Sequence, residues 1–139
     1  MKRFIILTVI LVFVFTNFAL ASSFNTEEMP DRKFIFENNI SIPGFAEAEL
    51  KANELIQPLL IYNPQRNNCE MVYIICLENG EILWQSKPLI PGYGYKDIKL
   101  NKELPPGEYK ATVAVRCYSL DNNKTELNSC KFACIFLVK

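Results

Sequence analysis

CEMVYIICLENGEILWQS, residues 69–86, is the stretch that decides the fold, because two apolar runs flank Asn79-Gly80 in it. Asn-Gly between apolar runs is the strongest short-range signal of a β-hairpin, since both central residues of a type I′ turn need positive φ. We therefore predict strands over residues 69–78 and 81–86, joined by a type I′ turn at Asn79-Gly80.

Two longer strands are predicted on the C-terminal side of this hairpin. In residues 110–118, and again in 129–138, side chains alternate with the period of two that is typical of a strand with one buried face. A polar loop at residues 121–126 separates them. The expected inward side chains are Tyr109, Ala111, Val113, Val115 and Cys117 on the first, and Cys130, Phe132, Cys134, Phe136 and Val138 on the second.

The remaining apolar runs are short and are separated by Pro, Gly and Asn. They predict strands over residues 34–36, 40–42, 45–50, 58–63 and 95–100; for 45–50 the alternative is a helical turn through residues 46–55. Turn signals every 8 to 12 residues are typical of a two-sheet sandwich. The expected fold class is all-β, an immunoglobulin-like two-sheet antiparallel sandwich of about seven to eight strands.

A tyrosine at the start of the long late strand supports this expectation. The segment LPPGEY, residues 104–109, places Tyr109 just past a turn. Immunoglobulin-type sandwiches have a tyrosine there whose hydroxyl binds the preceding backbone, the tyrosine corner. Tyr109 is therefore predicted to have a structural role.

The N-terminus has the three-part pattern of a secretory signal. Residues 1–21, MKRFIILTVILVFVFTNFALA, begin with two cations, continue with an apolar run and end in Ala-Leu-Ala. We expect a signal helix cleaved after Ala21, then a flexible tether over 22–32 and one domain over 33–139. The alternative is an uncleaved anchor, with membrane contact only through residues 4–21. Both place the domain outside the cytoplasm, secreted or tethered.

Composition excludes several classes of function. Without Lys2 and Arg3 the remaining chain has thirteen basic and fifteen acidic residues, a net charge of −2, which gives no electrostatic reason to bind nucleic acid. The chain has no His, which removes the usual general base, the Ser or Cys triad and most metal sites. We therefore expect no catalytic residues, no cofactor and no metal: the protein is not an enzyme.

The chain carries a series of short turn motifs, which are Ile42-Pro43-Gly44-Phe45, Tyr62-Asn63-Pro64, Asn68-Cys69, Asn79-Gly80, Leu89-Ile90-Pro91-Gly92, 104–109, Cys117-Tyr118 and Leu127-Asn128. In their order, these motifs resemble those of small exported immunoglobulin-like proteins of Gram-positive bacteria. The resemblance covers roughly residues 40–139 and implies a signal or tether followed by one β-sandwich.

Five cysteines in an exported chain favour a disulfide over a metal site. The resembled group has one Cys at the position of Cys69 and one at that of Cys117, which implies a Cys69–Cys117 bridge. In a sandwich both would lie at the same end of one sheet. The rival pairing is Cys117–Cys130, which a turn centred near Asn123 would set opposite each other. An odd count leaves at least one thiol unpaired within the chain.

Aromatic side chains are the only hint of a binding surface. Trp84, Tyr93 and Tyr95 could form an exposed stripe, since aromatic residues are enriched at interface hot spots; the alternative is that Trp84 belongs to the core. We expect a non-catalytic binding or structural module acting on a protein or cell-envelope component. The alternative is a secreted inhibitor of a protease or other hydrolase that presents the loop 63–68 or 121–126.

Overall fold

The structure is a computed structural model, and it describes residues 40–139. The expected signal segment 1–21, the tether 22–32, the strand 34–36 and the first residues of the expected domain lie outside the described residues.

The described part of the chain forms nine strands and no helix, as the sequence predicts for an all-β protein. The strands are β1 (Glu47–Leu50), β2 (Ile56–Gln57), β3 (Ile61–Tyr62), β4 (Glu70–Leu77), β5 (Ile82–Gln85), β6 (Gly94–Tyr95), β7 (Ile98–Lys99), β8 (Gly107–Tyr118) and β9 (Glu126–Val138).

Five of these strands form one sheet, in the order β1-β9-β8-β4-β5. β1 runs parallel to β9, with Glu47 opposite Ile135 and Leu50 opposite Val138. The other neighbours are antiparallel. The strand expected at residues 45–50 is confirmed, and the helical alternative is wrong: β1 adds to the sheet edge beside the last strand.

Two short antiparallel pairs, β2 with β7 and β3 with β6, form the remaining sheets. The strand predicted over 58–63 contains β3, whereas β2 precedes it and was not predicted; the strand predicted over 95–100 is divided between the end of β6 and β7. Pro58, which has no N–H for a ladder, directly follows β2. The N–H of Leu59 donates to the carbonyl of Gln57 at 2.9 Å, a tight turn that interrupts the strand.

The core lies on one face of the five-stranded sheet, against the two short pairs. Alternate residues of β8 and β9 point into it, and Val113, Val115 and Phe136 are buried. This agrees with the predicted inward sets, although Tyr109, Cys130 and Phe132 are only partly buried against the core. An all-β chain with several sheets around one core is consistent with a β-sandwich.

The predicted hairpin is confirmed as β4–β5, but its turn type is wrong. Only Gly80 has positive φ, at 86°, while Asn79 does not. The N–H of Gly80 donates to the carbonyl of Leu77, and the N–H of Leu77 to that of Glu81. A three-residue loop of this kind needs one left-handed residue instead of two.

A bulge in β5 changes which side chains of the hairpin are buried. Ile75 lies opposite Trp84 and Cys76 opposite Ile82, so Leu83 is an extra residue. Because the bulge breaks the alternation, Leu83 and Trp84 are both buried. Strict alternation would place them on opposite faces.

Residues 40–42, predicted as a strand, are not part of any sheet. Ile40 and Ile42 pack partly buried against the core, and Ser41 joins the loop after β3 instead. The N–H of Ser41 donates to Asn67 Oδ1 at 2.8 Å, and Asn67 Nδ2 donates back to the Ser41 carbonyl. The side-chain amide of Asn67 thus makes the two hydrogen bonds to the Ser41 backbone that a neighbouring strand would otherwise make.

Candidate functional site

A candidate surface is the outer face of the five-stranded sheet, the face opposite the core. β4 is apolar on both of its sides: Met71, Tyr73 and Ile75 are buried in the core. The alternate residues of β4 point to the outer face, where Val72, Ile74 and Cys76 are half-buried. A run that is apolar on both sides of a strand predicts two covered faces.

The register shows how far this apolar character extends across four strands: one row is largely apolar, and the next has a polar residue at each end. One row of the outer face contains Ala133, Thr112, Cys76 and Ile82. The next row contains Lys131, Ala114, Ile74 and Gln85. Ile82 is 47 % exposed, a large fraction for an isoleucine. The described residues place no second layer over these rows.

A depression of about 450 Å³ lies where β8 and β9 meet the start of β1. Small side chains, among them Ala46, Thr112 and Ala133, line it, which is why the surface is recessed there. Glu78 and Lys110 supply one charge of each sign to the lining. Its volume falls within the range of small-ligand pockets, and it also suits one apolar side chain of a partner.

The predicted aromatic stripe is wrong for two of its three members. Trp84 is 8 % exposed and Tyr95 is 4 % exposed, so both belong to the core. Their rings meet edge to face with centroids 5.3 Å apart. Tyr93 is half-buried, and its carbonyl accepts the N–H of Asn63 at 2.9 Å. The bulge at Leu83 turns Trp84 inward, so the core alternative holds.

All five cysteines are free thiols in the structure. Cys69 and Cys117 are fully buried, and they lie close enough that each affects the pKa of the other. Burial, reinforced by the neighbouring Cys69, raises the pKa of Cys117 to about 12. These two buried thiols are therefore inert toward solvent.

The rival pairing of Cys117 with Cys130 does not have the expected geometry. Cys130 lies opposite Val115, not opposite Cys117. The strands turn about residue 122, where Tyr118 lies opposite Glu126, and not about Asn123 as expected, so Cys130 comes opposite an earlier residue of β8. Cys76 lies on the outer face, and Cys134 is a buried core residue.

Tyr109 lies near the start of β8, and its hydroxyl donates to the carbonyl of Pro105 at 2.9 Å. The bond ties the strand to the turn that precedes it. Gly107, with φ of 156°, lies between the two partners, and a Cβ there would lie 3.6 Å from the tyrosine ring, an ordinary contact distance.

The loop 63–68 is fixed by two buried amides. Asn63 Nδ2 donates to the carbonyls of Cys69 and Leu89, both at 2.8 Å. Asn67 Nδ2 donates to Asn63 Oδ1 at 2.9 Å. Every buried side-chain nitrogen and oxygen of the described residues has a hydrogen-bond partner, so this loop is rigid without leaving a polar group unpaired.

Sequence reasoning missed the outer face, although a signal for it exists. The runs VYIICL in β4 and FACIFLV in β9 are apolar at consecutive positions, which predicts burial on both sides. Within residues 40–139 no group of three or more His, Cys, Asp or Glu side chains is placed to hold a metal ion, and no helix could cross a membrane. Comparison with known proteins found no matching family model, no matching curated protein and no matching solved structure.

Proposed function

We propose that the chain is an exported, non-catalytic module of immunoglobulin-like topology that binds a protein or cell-envelope component at the bacterial surface or outside the cell. The observation that carries this proposal is the apolar outer face of the five-stranded sheet with its depression. An apolar surface that stays in water is characteristic of interaction sites.

The strand order supports the immunoglobulin-like topology. The segment β9-β8-β4-β5 corresponds to the G-F-C-C′ order of variable-type sandwiches, with the hairpin β4–β5 as C and C′. The bond from Tyr109 to Pro105 is of the kind made by the tyrosine corner at the start of strand F. The resemblance to exported Gram-positive proteins adds the location.

The proposal includes a Cys69–Cys117 bridge in the exported protein. The burial of both thiols near each other supports it, as does the chemistry of an oxidising compartment. Closing a loop of about 47 residues would stabilise the fold by roughly 4 kcal/mol on the chain-entropy model. Peptide mapping that finds both thiols free in the exported product contradicts the bridge.

The binding role is tested with labelled protein on isolated cell envelopes of the producing bacterium. We expect saturable binding that Thr112→Arg reduces at least tenfold, because the longer cation fills the depression. Ile56→Arg is the matched control, since Ile56 is 53 % exposed on the opposite layer. Binding that does not saturate, or that both variants weaken equally, overturns the proposal.

A second candidate function is inhibition of a secreted protease or other hydrolase. The rigid loop 63–68 favours it, because preorganisation lowers the entropic cost of binding. Gln65 and Asn68 are exposed there, while Arg66 donates to Ser41 Oγ at 2.9 Å. No effect at micromolar concentration on a panel of secreted hydrolases eliminates this candidate.

A further inference from the structure

The two edges of the five-stranded sheet differ in how well they are covered. At the β5 edge, Asn101 occupies two carbonyls that would otherwise be open to another strand. Its N–H donates to the carbonyl of Leu83 at 2.7 Å, and its Nδ2 donates to the carbonyl of Ile82 at 3.0 Å. At the other edge, β1 pairs only with Ile135 to Val138. The earlier part of β9 has no neighbouring strand on this side among the described residues.

Hydrogen bonds to β1 show which backbone groups of β9 point to this open edge. The N–H groups of Ile135 and Lys139 donate to Ala46 and Leu50, so the odd-numbered residues face away from β8. The register with β8 is unbroken from Ser129 onward, and the same alternation therefore applies along the strand. The N–H and C=O groups of Ser129, Lys131 and Ala133 thus point outward at the open edge.

We propose that two copies of this chain pair through the open edge of β9, antiparallel, in the register that sets Cys130 opposite Cys130 of the second copy. An edge with unpaired backbone groups is a template for another strand. A two-fold axis makes the contact self-complementary, so one edge supplies both sides of the interface.

The side chains select this register over its neighbours. A register centred on Lys131 places two ammonium groups directly opposite each other, which is destabilising. One centred on Ser129 needs Leu127 for its second pair, where the β9 register is irregular. Centring on Cys130 pairs Ser129 with Lys131 of the second copy, and the reverse, entirely within the regular part of β9.

In this register the two Cys130 residues lie close enough to form a disulfide, which allows the contact to be detected. Its own N–H and C=O point to β8, so across the new ladder it occupies a non-hydrogen-bonded pair, with Cα atoms about 4.5 Å apart. This separation lies within the range that a disulfide accepts, about 4.4 to 6.8 Å. Cys130 is half-buried, whereas Cys69 and Cys117 are fully buried.

Oxidised glutathione traps the pair in protein made from the complete sequence and first reduced. The Cys130 thiolate attacks one sulfur of the reagent and releases one glutathione thiolate. The thiolate of Cys130 in the second copy attacks the protein sulfur of this mixed disulfide and releases the second. Two protein thiols are oxidised and one glutathione disulfide becomes two thiols. We expect a covalent dimer whose cross-linked peptide is Cys130–Cys130.

Matched variants separate the register from random collision. Cys76→Ser should still give the dimer, and Cys130→Ser should abolish it. In the Cys130→Ser background, Ser129→Cys moves the thiol by one residue along the same exposed edge and keeps Lys131. Because position 129 does not face itself in the proposed register, we expect this variant to cross-link at least tenfold more slowly. Cross-linking as fast as at Cys130, or a dimer linked through another cysteine, overturns the proposal.

Amide hydrogen exchange of the reduced protein tests the contact without oxidation. The Ser129 and Lys131 amides should be protected increasingly as protein concentration rises. Lys131→Pro should remove this protection without unfolding, since the N–H it deletes faces away from β8. Protection that does not depend on protein concentration would mean that another part of the same chain covers the edge. Fast exchange at every concentration would mean that nothing covers it. Either result overturns the proposal.

Discussion

A single residue, the completely buried Asn63, connects three segments of the chain through the hydrogen bonds of its side-chain amide. Its Nδ2 group donates hydrogen bonds to the carbonyls of Cys69 and Leu89, and its Oδ1 accepts a hydrogen bond from Asn67 Nδ2. We predict that Asn63→Ala lowers the free energy of unfolding by about 3 kcal/mol, because buried carbonyls lose their donors. Urea unfolding measures it, with the exposed Asn68→Ala as control; equal effects of the two variants contradict the prediction.

The Tyr109 hydroxyl makes a smaller contribution, because its bond to Pro105 lies at the surface. We predict that Tyr109→Phe lowers the free energy of unfolding by about 1 kcal/mol, the usual net value of one hydrogen bond. Tyr118→Phe, on the same strand, is the control in thermal unfolding. A Tyr109→Phe protein as stable as the wild type argues against a tyrosine corner.

At the scale of elements, Gly94 decides whether β3 and β6 can pair. A Cβ there would lie 2.4 Å from Tyr62 Cβ and 2.5 Å from the carbonyl oxygen of Ile61. We predict that Gly94→Ala destabilises the protein by about 3 kcal/mol, since backbone must move to make room. In Gly44→Ala the new Cβ meets the Phe132 ring at an ordinary 3.5 Å. Unfolding curves that show equal losses contradict this account.

The elements also show where sequence reasoning succeeds. The strands β8 and β9 are long enough for alternation to identify them and their inward sides, and the turn at Asn79-Gly80 identifies β4. The short strands were predicted less well: β6 and β7 were merged into one strand over 95–100, and β2 was not predicted, because two residues are too few to show an alternation. The bulge at Leu83 was also missed, because it is defined by how β5 pairs with β4 and not by the residues of β5 alone.

For the whole molecule, burial divides the five thiols into two classes. Cys69, Cys117 and Cys134 are buried, while Cys76 and Cys130 are partly accessible. We predict that a thiol reagent labels two cysteines of the reduced native protein rapidly and the other three only after unfolding. Mass spectrometry of labelled peptides identifies them. Rapid labelling of Cys69 or Cys117 in the native protein contradicts the fold. If the protein is unfolded without reduction and only one further cysteine, Cys134, becomes labelled, the Cys69–Cys117 bridge is present.

The same burial makes the stability of the reduced protein depend on pH. Burial raises the pKa of Cys117 to about 12 and of Cys134 to about 11, from the usual 9.0. The folded state keeps these protons where the unfolded state releases them. The stabilisation is therefore complete below pH 9 and is lost between about pH 9 and 12.

Urea unfolding at a series of pH values tests this dependence. We predict a falling free energy of unfolding above pH 9, with a shallower decline in Cys134→Ala, because one of the titrating thiols is gone. Burial also raises the pKa of Tyr73, which adds to the decline above its usual 10.0. A free energy of unfolding that stays constant from pH 8 to 11 contradicts the assignment of buried thiols.

The sequence by itself determined that the described chain is all-β, where its longest strands run and which of their side chains face the core, because alternation and turn chemistry are local. It also carried the pattern of an export signal, in residues that lie outside the described part. Only the tertiary structure decided that Trp84 and Tyr95 are core residues, that Cys130 lies opposite Val115, and that β9 keeps an open edge. These depend on which strands become neighbours and in what register, and contacts between residues far apart in sequence set both.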